Sequence, residues 1–291
     1  MMDRHRPQVG LSLMPEDDFL RAAQPLFVDG VVEVLEWSFD IGWPPAVVLG
    51  WAEDLLTAYS DAGALYGHGV SFSPLSAGVD DFQRSWLTRL RQELATRRYR
   101  HISEHFGFSS TRNFHQSAPL PVPLTPATLK VGHDRLRELA AVAGVPIGLE
   151  NLAFAFSIRD VEDQGRFLEE LLTPVDGFIV LDLHNLYCQA MNFGKPLDAL
   201  LAGYPLERVR ELHVAGGSWS RLDGSPSQIR RDTHDQPVPE ELFDWLPRVL
   251  ERCPNVEAVI LERMGGTLSA GDDEPFRRDF RQLCEVVDAH R

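Results

Sequence analysis

Short apolar runs alternate along this chain with longer stretches whose apolar residues recur at helical spacing. The runs fall at residues 9–13, 31–36, 64–72, 100–106, 145–151, 177–185, 208–214 and 257–262. Most are continuous rather than alternating, as expected of strands buried on both faces of a parallel sheet. The helical patterns begin at the acidic start Glu16–Asp18 and then cover residues 46–59, 80–97, 126–143, 161–172, 195–201, 239–252 and 275–290. Alternation of this kind predicts a parallel sheet. Eight such units predict an α/β chain folded as a single (β/α)8 TIM-type barrel over residues 1–291. Two segments break the rhythm. Residues 108–126 are proline-rich and too long for a turn, which predicts a functional loop or lid. Residues 216–231 read as a polar, glycine-containing loop.

Polar residues interrupt the apolar pattern mainly at the C-terminal ends of the runs, where barrels of this class place their chemistry. Those ends carry His68, His105, Glu150, Asp182 with His184 and Asn185, His213 and Glu262; the loop after the seventh run adds Asp232 and His234. The second run is read as carrying Glu33. On a strand, Asp182 and His184 would share a face, and so would Glu211 and His213. Buried polar groups cost stability unless they are paired or ligated. Carboxylates gathered at one mouth would repel one another and raise their pKa values unless cations intervene. The pattern therefore predicts a metal centre with more than one ion at the C-terminal ends of the strands. Imidazole and carboxylate without thiolate suit iron, manganese, zinc or magnesium. Cys188 is expected to be a small buried hydrophobe. His5, His101, His133 and His290 are expected to be ordinary surface or packing residues.

Composition narrows the partners. The 291 residues are 44% hydrophobic with a formal net charge of -15, which counts against nonspecific nucleic-acid binding. Three cysteines without a CxxC pair fit a reducing cytoplasm. The first residues lack the apolar core of a signal peptide, and no apolar run approaches the roughly 20 residues of a membrane span.

Six segments, Ser103-Glu-His105, Leu149-Glu-Asn151, Leu181-Asp-Leu-His-Asn185, Glu211-Leu-His-Val-Ala-Gly216, Asp232-Thr-His-Asp-Gln-Pro-Val238 and Ile260-Leu-Glu262, carry a resemblance. In order and spacing they resemble the multinuclear non-heme iron-dependent oxidative enzymes, the family best known from methanobactin biosynthesis. The resemblance extends from Gly10 to about Glu262. It implies a TIM-type barrel that holds two or three irons, mixed Fe(II) and Fe(III), and uses dioxygen as co-substrate. Its implied task is to remodel residues, most often cysteines, of ribosomally made precursor peptides, often with a companion peptide-recognition protein. It further implies His68, His105, Glu150, Asp182, Asn185, His213, Asp232, His234 and Glu262 as iron ligands. His184, where the family has asparagine, is either an extra ligand or a replacement for that amide. Glu104 and Glu211 are candidate supports behind the ligands, and His115 and Trp219 candidate substrate contacts. The chain departs from the family pattern at Leu152–Phe156, at Gly217 in place of histidine, at Met264 in place of an acid, and around Glu33–Trp37. Two other readings are a redox-silent divalent-metal enzyme, similar to sugar isomerases or endonuclease IV-like phosphodiesterases, and a non-enzymatic metal-binding scaffold.

Overall fold

In the computed structural model, which describes residues 6–77, 81–111, 114–221 and 227–290, strand follows helix in the order the hydrophobic pattern requires. The elements run β1 (Gln8–Leu13), α1 (Asp17–Val28), β2 (Val34–Trp37), α2 (Gly50–Asp61), β3 (Leu65–Gly69), α3 (Asp81–Thr96), β4 (Ile102–His105), β5 (Phe108–Thr111), β6 (Phe114–Leu120) and α4 (Pro126–Ala143). They continue with β7 (Ile147–Glu150), α5 (Ile158–Leu172), β8 (Phe178–Asp182), α6 (Leu183–Phe193), α7 (Leu197–Leu201), β9 (Val209–Val214), β10 (Trp219–Arg221), β11 (Gln228–Arg230), α8 (Glu240–Arg252), β12 (Ala258–Leu261) and α9 (Asp273–Ala289). Strands β1, β2, β3, β4, β7, β8, β9 and β12 close into one parallel barrel, β1 pairing with both β2 and β12.

Alternation along each strand separates two environments. Leu11, Leu35, Ile179, Leu181 and Val259 turn outward and pack with the helices in one continuous core. Val34, Tyr66, Ala258 and Ile260 form a second, smaller cluster, the apolar floor inside the ring. Gly148 belongs to this interior: a Cβ there would collide with the Phe178 ring. Above the floor the interior turns polar, with Ser12, Glu36, His68, Ser103, Glu211 and His213 all buried.

Four expectations change. The second strand is Val34–Trp37, not residues 31–36. Glu33 precedes it and is bound by Arg6 and the Val9 amide, so Glu36 is the acid that enters the barrel. The sixth strand stops at Asp182, and α6 starts at once, so Asp182 and His184 do not share a strand face. Asp182 caps α6 by accepting a hydrogen bond from the Asn185 amide. The short helix expected at residues 195–201 is present as α7, but the longer α6 before it was not expected. The proline-rich segment contains the antiparallel hairpin β5–β6, and the loop after the seventh barrel strand contains the hairpin β10–β11.

Candidate metal centre

The barrel mouth is built from strand ends one position apart around the ring. Parallel register sets His68 beside Ser103, His105 beside Glu150, and Asp182 beside His213. Among the described residues, four sets of potential ligand atoms lie close enough to share an ion. The first is His68, His105 and Glu150; the second is Glu150, Asp182, His213 and Glu262; the third is Asp182, Asp232 and His234. Glu150 links the first set to the second and Asp182 links the second to the third. The fourth set, Glu36, Glu211 and His213, lies deeper in the barrel.

Hydrogen bonds behind the centre fix which atoms face it. The Ser103 hydroxyl donates to the Gly67 carbonyl, so it accepts from His68 Nδ1 at 2.8 Å. That leaves His68 Nε2 turned to the mouth, 3.3 Å from Glu150 and 3.4 Å from His105 Nε2. His213 is held the other way round. Its Nε2 lies 3.0 Å from Glu36, and its Nδ1 faces Glu262 at 3.2 Å and Glu150 at 3.8 Å. Asn151 grips the backbone of Asp182 with both ends of its amide. Asn185 donates to Glu150 and to the Asn151 carbonyl. His234, at the end of the loop after β11, has φ of 51°, a left-handed conformation unusual outside glycine and frequent at functional sites. Its Nε2 lies 2.7 Å from Asp232.

The electrostatics are those of a site that wants cations. Burial, then the charges of Asp232, Glu150 and Glu262, push the Asp182 carboxyl well above its ordinary range. Burial opposes a charged His68, yet the hydrogen bond to Glu150 and the charges of Glu36 and Glu150 lift it to about 9. His213 and His234 are raised well above the ordinary imidazole value because neighbouring carboxylates outweigh their burial. Protons thus take the place of positive charge among crowded acids. Asp182 Oδ2 and Asn185 Oδ1 are buried without a hydrogen bond, and His213 Nδ1, His234 Nε2 and Glu262 Oε2 meet charged neighbours but in no good hydrogen-bond geometry. Native interiors rarely leave such atoms unanswered. An all-nitrogen and oxygen donor set with unsatisfied atoms converging on one mouth fits a cluster of transition-metal ions.

His184 stands apart from the four sets. Arginine can only donate, so the contact of Arg230 Nε with His184 Nε2 at 3.3 Å makes that nitrogen an acceptor. Nδ1 then carries the proton and donates to Asp232 at 3.0 Å. Both nitrogens are engaged, and His184 forms the wall that orients Asp232. Gly217 lies against it. A Cβ at residue 217 would be 2.8 Å from His184 and in collision with the Arg231 carbonyl, so no larger side chain fits at this position. Glu104 accepts from the Phe72 and His105 amides, bracing the loop after β3. Glu211 is bonded to His101 at 2.6 Å beneath the centre, so His101 is a buried partner of Glu211 rather than a surface residue. Cys188 is buried behind His184, its thiol pushed up by burial and then by Asp232 and Asp182. The backbone of His115 pairs with Ser110 in the β5–β6 hairpin; its side chain lies outside the described residues. Trp219 is 46% exposed on β10. Glu36, Asn151 and Arg230 were not singled out from the sequence. The Val34-Leu-Glu36 alternation signalled the first, and the Glu150-Asn151 pair the second.

Above the centre opens a cleft of about 400 Å³. Its floor includes His105, Glu150, Asp232, His234 and Glu262, and its sides come from both hairpins. No helix among the described residues is long and apolar enough to cross a membrane.

Solved structures similar in fold include a xylose isomerase domain containing protein from Salmonella typhimurium (TM-score 0.59, 13% identity, covering 100% of this chain and 99% of that one). Another is the D-psicose 3-epimerase of Clostridium cellulolyticum H10 (TM-score 0.55, 14% identity, 98% of each chain). At this identity the likeness shows the fold alone. In sequence the chain is 30% identical over 287 residues to a UPF0276 protein of Rhizorhabdus wittichii, covering 99% of this chain and 93% of that one. It is 31% identical over 224 residues to a UPF0276 protein of Chromobacterium violaceum, covering 77% and 76%. Residues 46–268, from the approach to α2 through the last strand end of the metal centre, match the family described as RiPP precursor modification enzyme MbnB/TglH/ChrH, and to that family this chain belongs.

Proposed function

We propose that this protein is a multinuclear non-heme iron oxidase that uses dioxygen to modify a residue, by preference cysteine, of a ribosomally made precursor peptide. The observation that carries the reading is the sharing of Glu150 and Asp182 between adjoining donor sets. A carboxylate common to two sets would be able to serve ions in both, and Glu150 and Asp182 would together hold such ions as one connected centre. Iron, if held there, would supply one-electron chemistry with dioxygen as the oxidant. His68 and His105 would hold the end nearest β3 and β4, His213 and Glu262 the middle, and Asp232 with His234 the loop end. Ser103, Glu36 and His184 fix the direction of the ligands in front of them. The cleft admits a few residues of an extended peptide, and its two hairpins supply apolar walls that exclude water. A precursor peptide, with or without a companion recognition protein, fits this opening.

Metal analysis of protein purified anaerobically under reducing conditions tests the reading. The intact chain is expected to hold more than one iron with a Mössbauer signature of interacting ions. Glu150→Ala and Asp182→Ala each remove a bridge and should lose more iron than His234→Ala, with helical circular dichroism preserved. Unchanged iron in both bridging variants, or zinc or magnesium alone in the intact chain, would overturn it.

A further inference from the structure

Arg230 is a largely buried arginine with no acidic partner among the described residues. It is 8% exposed. Its backbone is clamped at both ends by Asn192. Its guanidinium lies over the rings of Tyr187 and Trp219, 5.4 and 5.5 Å from their centroids. Nε donates to His184. The two Nη atoms make no hydrogen bond or ion pair to any described residue. This is not for want of acids in a chain of net charge -15. Neither Nη atom is among the fully buried atoms that lack a partner, so the fork opens into the cleft, and an arginine fork held by aromatic rings is preorganised for a carboxylate.

The surroundings say what carries that carboxylate. Arg230 lines the cleft over the metal centre, and Arg231 beside it lines the same cleft, also without an acidic partner among the described residues. The other walls are apolar, with Leu120, Leu152, Phe154 and Ile229. Phe154 and Ile229 are 48% and 37% exposed, and so have surface left to cover. We propose that Arg230 binds a carboxylate of the peptide substrate, next to an apolar side chain seated on Phe154 and Ile229. This rests on the peptide reading above and sharpens it. The segment entering the cleft is acidic and apolar, and its acid docks on an arginine that is two hydrogen bonds, through His184, from Asp232 of the third donor set. The carboxylate belongs either to an Asp or Glu side chain or to the end of the peptide.

Calorimetry on the metal-loaded chain under anaerobic conditions separates these. The probes are N-acetyl-Leu-Asp amide, its Asn counterpart, N-acetyl-leucine and N-acetyl-leucine amide. Each acid is expected to bind about tenfold or more tightly than its amide partner. The tighter of the two acids identifies the source as side chain or terminus. Arg230→Gln should reduce the acid-to-amide ratio to below about twofold, Arg230→Lys should keep part of it, and Arg231→Gln most of it. Three results would overturn the proposal: equal affinity for acid and amide, no acid binding up to ~10 mM, or a ratio that survives Arg230→Gln. The last would mean that the acids sit directly on the metal. Metal content measured on the same samples keeps the two proposals apart. Discrimination in a chain without iron defeats the oxidase reading alone, whereas an iron-loaded chain without discrimination defeats only this one.

Discussion

His213 can present Nδ1 to the metal mouth only while its Nε2–H is held from below. Glu36 does this at 3.0 Å, with both side chains fully buried. Burial works against both charges. Even so, Glu262 and Glu36 raise His213, and His213 lowers Glu36. A carboxylate behind a ligating imidazole sets its orientation and its basicity. Glu36→Gln keeps the shape, removes the charge, and should weaken metal binding about tenfold in a competition titration, with the far-ultraviolet spectrum unchanged. Unaltered affinity would reduce Glu36 to a packing residue. This residue was hidden in the sequence for a physical reason. Glu33 and Glu36 are three apart in one apolar run, and hydrophobicity alone does not say which lies on the strand. The residues that were legible, such as Glu150 and Glu262, each close a strand of unbroken apolar character.

At the level of elements, Asp182 serves two purposes that can be separated. It ends β8 as a candidate bridging ligand and caps α6 through the Asn185 amide. Alanine removes both the ligand and the cap, whereas serine restores a cap and still lacks the carboxylate. In metal-free protein, Asp182→Ala should therefore unfold below Asp182→Ser by about 1 kcal/mol, roughly 2 °C, while metal content falls equally in both. Equal melting temperatures would mean that the cap contributes nothing. The junction explains why the sixth strand was expected to run to Asn185. Every residue from Leu183 to Ala190 is buried, polar ones included, so this part of α6 shows no polar face and reads as more of the apolar strand before it. The hairpins were illegible for the opposite reason. β5–β6 contains Pro119, which strands disfavour, and serines without a clear apolar alternation, and its pairing over the mouth is a tertiary fact. Eight strands with helices between them were legible because each buries two faces and so carries the period of its element.

Closing a barrel requires the first strand to find the last, the longest separation in sequence that this chain must bridge. β1 meets β12 edge to edge, and α1 packs on α9 outside them. Asp18 straps this seam. Its carboxylate accepts hydrogen bonds from the Phe19, Gly266 and Leu268 amides, while Arg21 donates to the Leu268 carbonyl and pairs with Asp273. Burial pushes the Asp18 carboxyl up, but those amides more than offset it and hold it below its ordinary value. A carboxyl depressed in the folded state stabilises above its unfolded pKa of about 3.9, and that contribution is lost as pH falls through the folded value. Asp18→Asn keeps one acceptor oxygen but has no charge to lose. Its melting temperature should lie below that of the intact chain at pH ~6, and the gap should narrow as pH falls below about 3.9 and close only below the depressed folded value, where both side chains are neutral. The effect is small because the site is mostly solvated and screened, so thermal unfolding of the two proteins is best followed in parallel across this range. A gap that stays constant with pH would show that the seam does not depend on the Asp18 charge. The gap should also survive in metal-free protein, since the strap lies outside the ring that holds the metal centre.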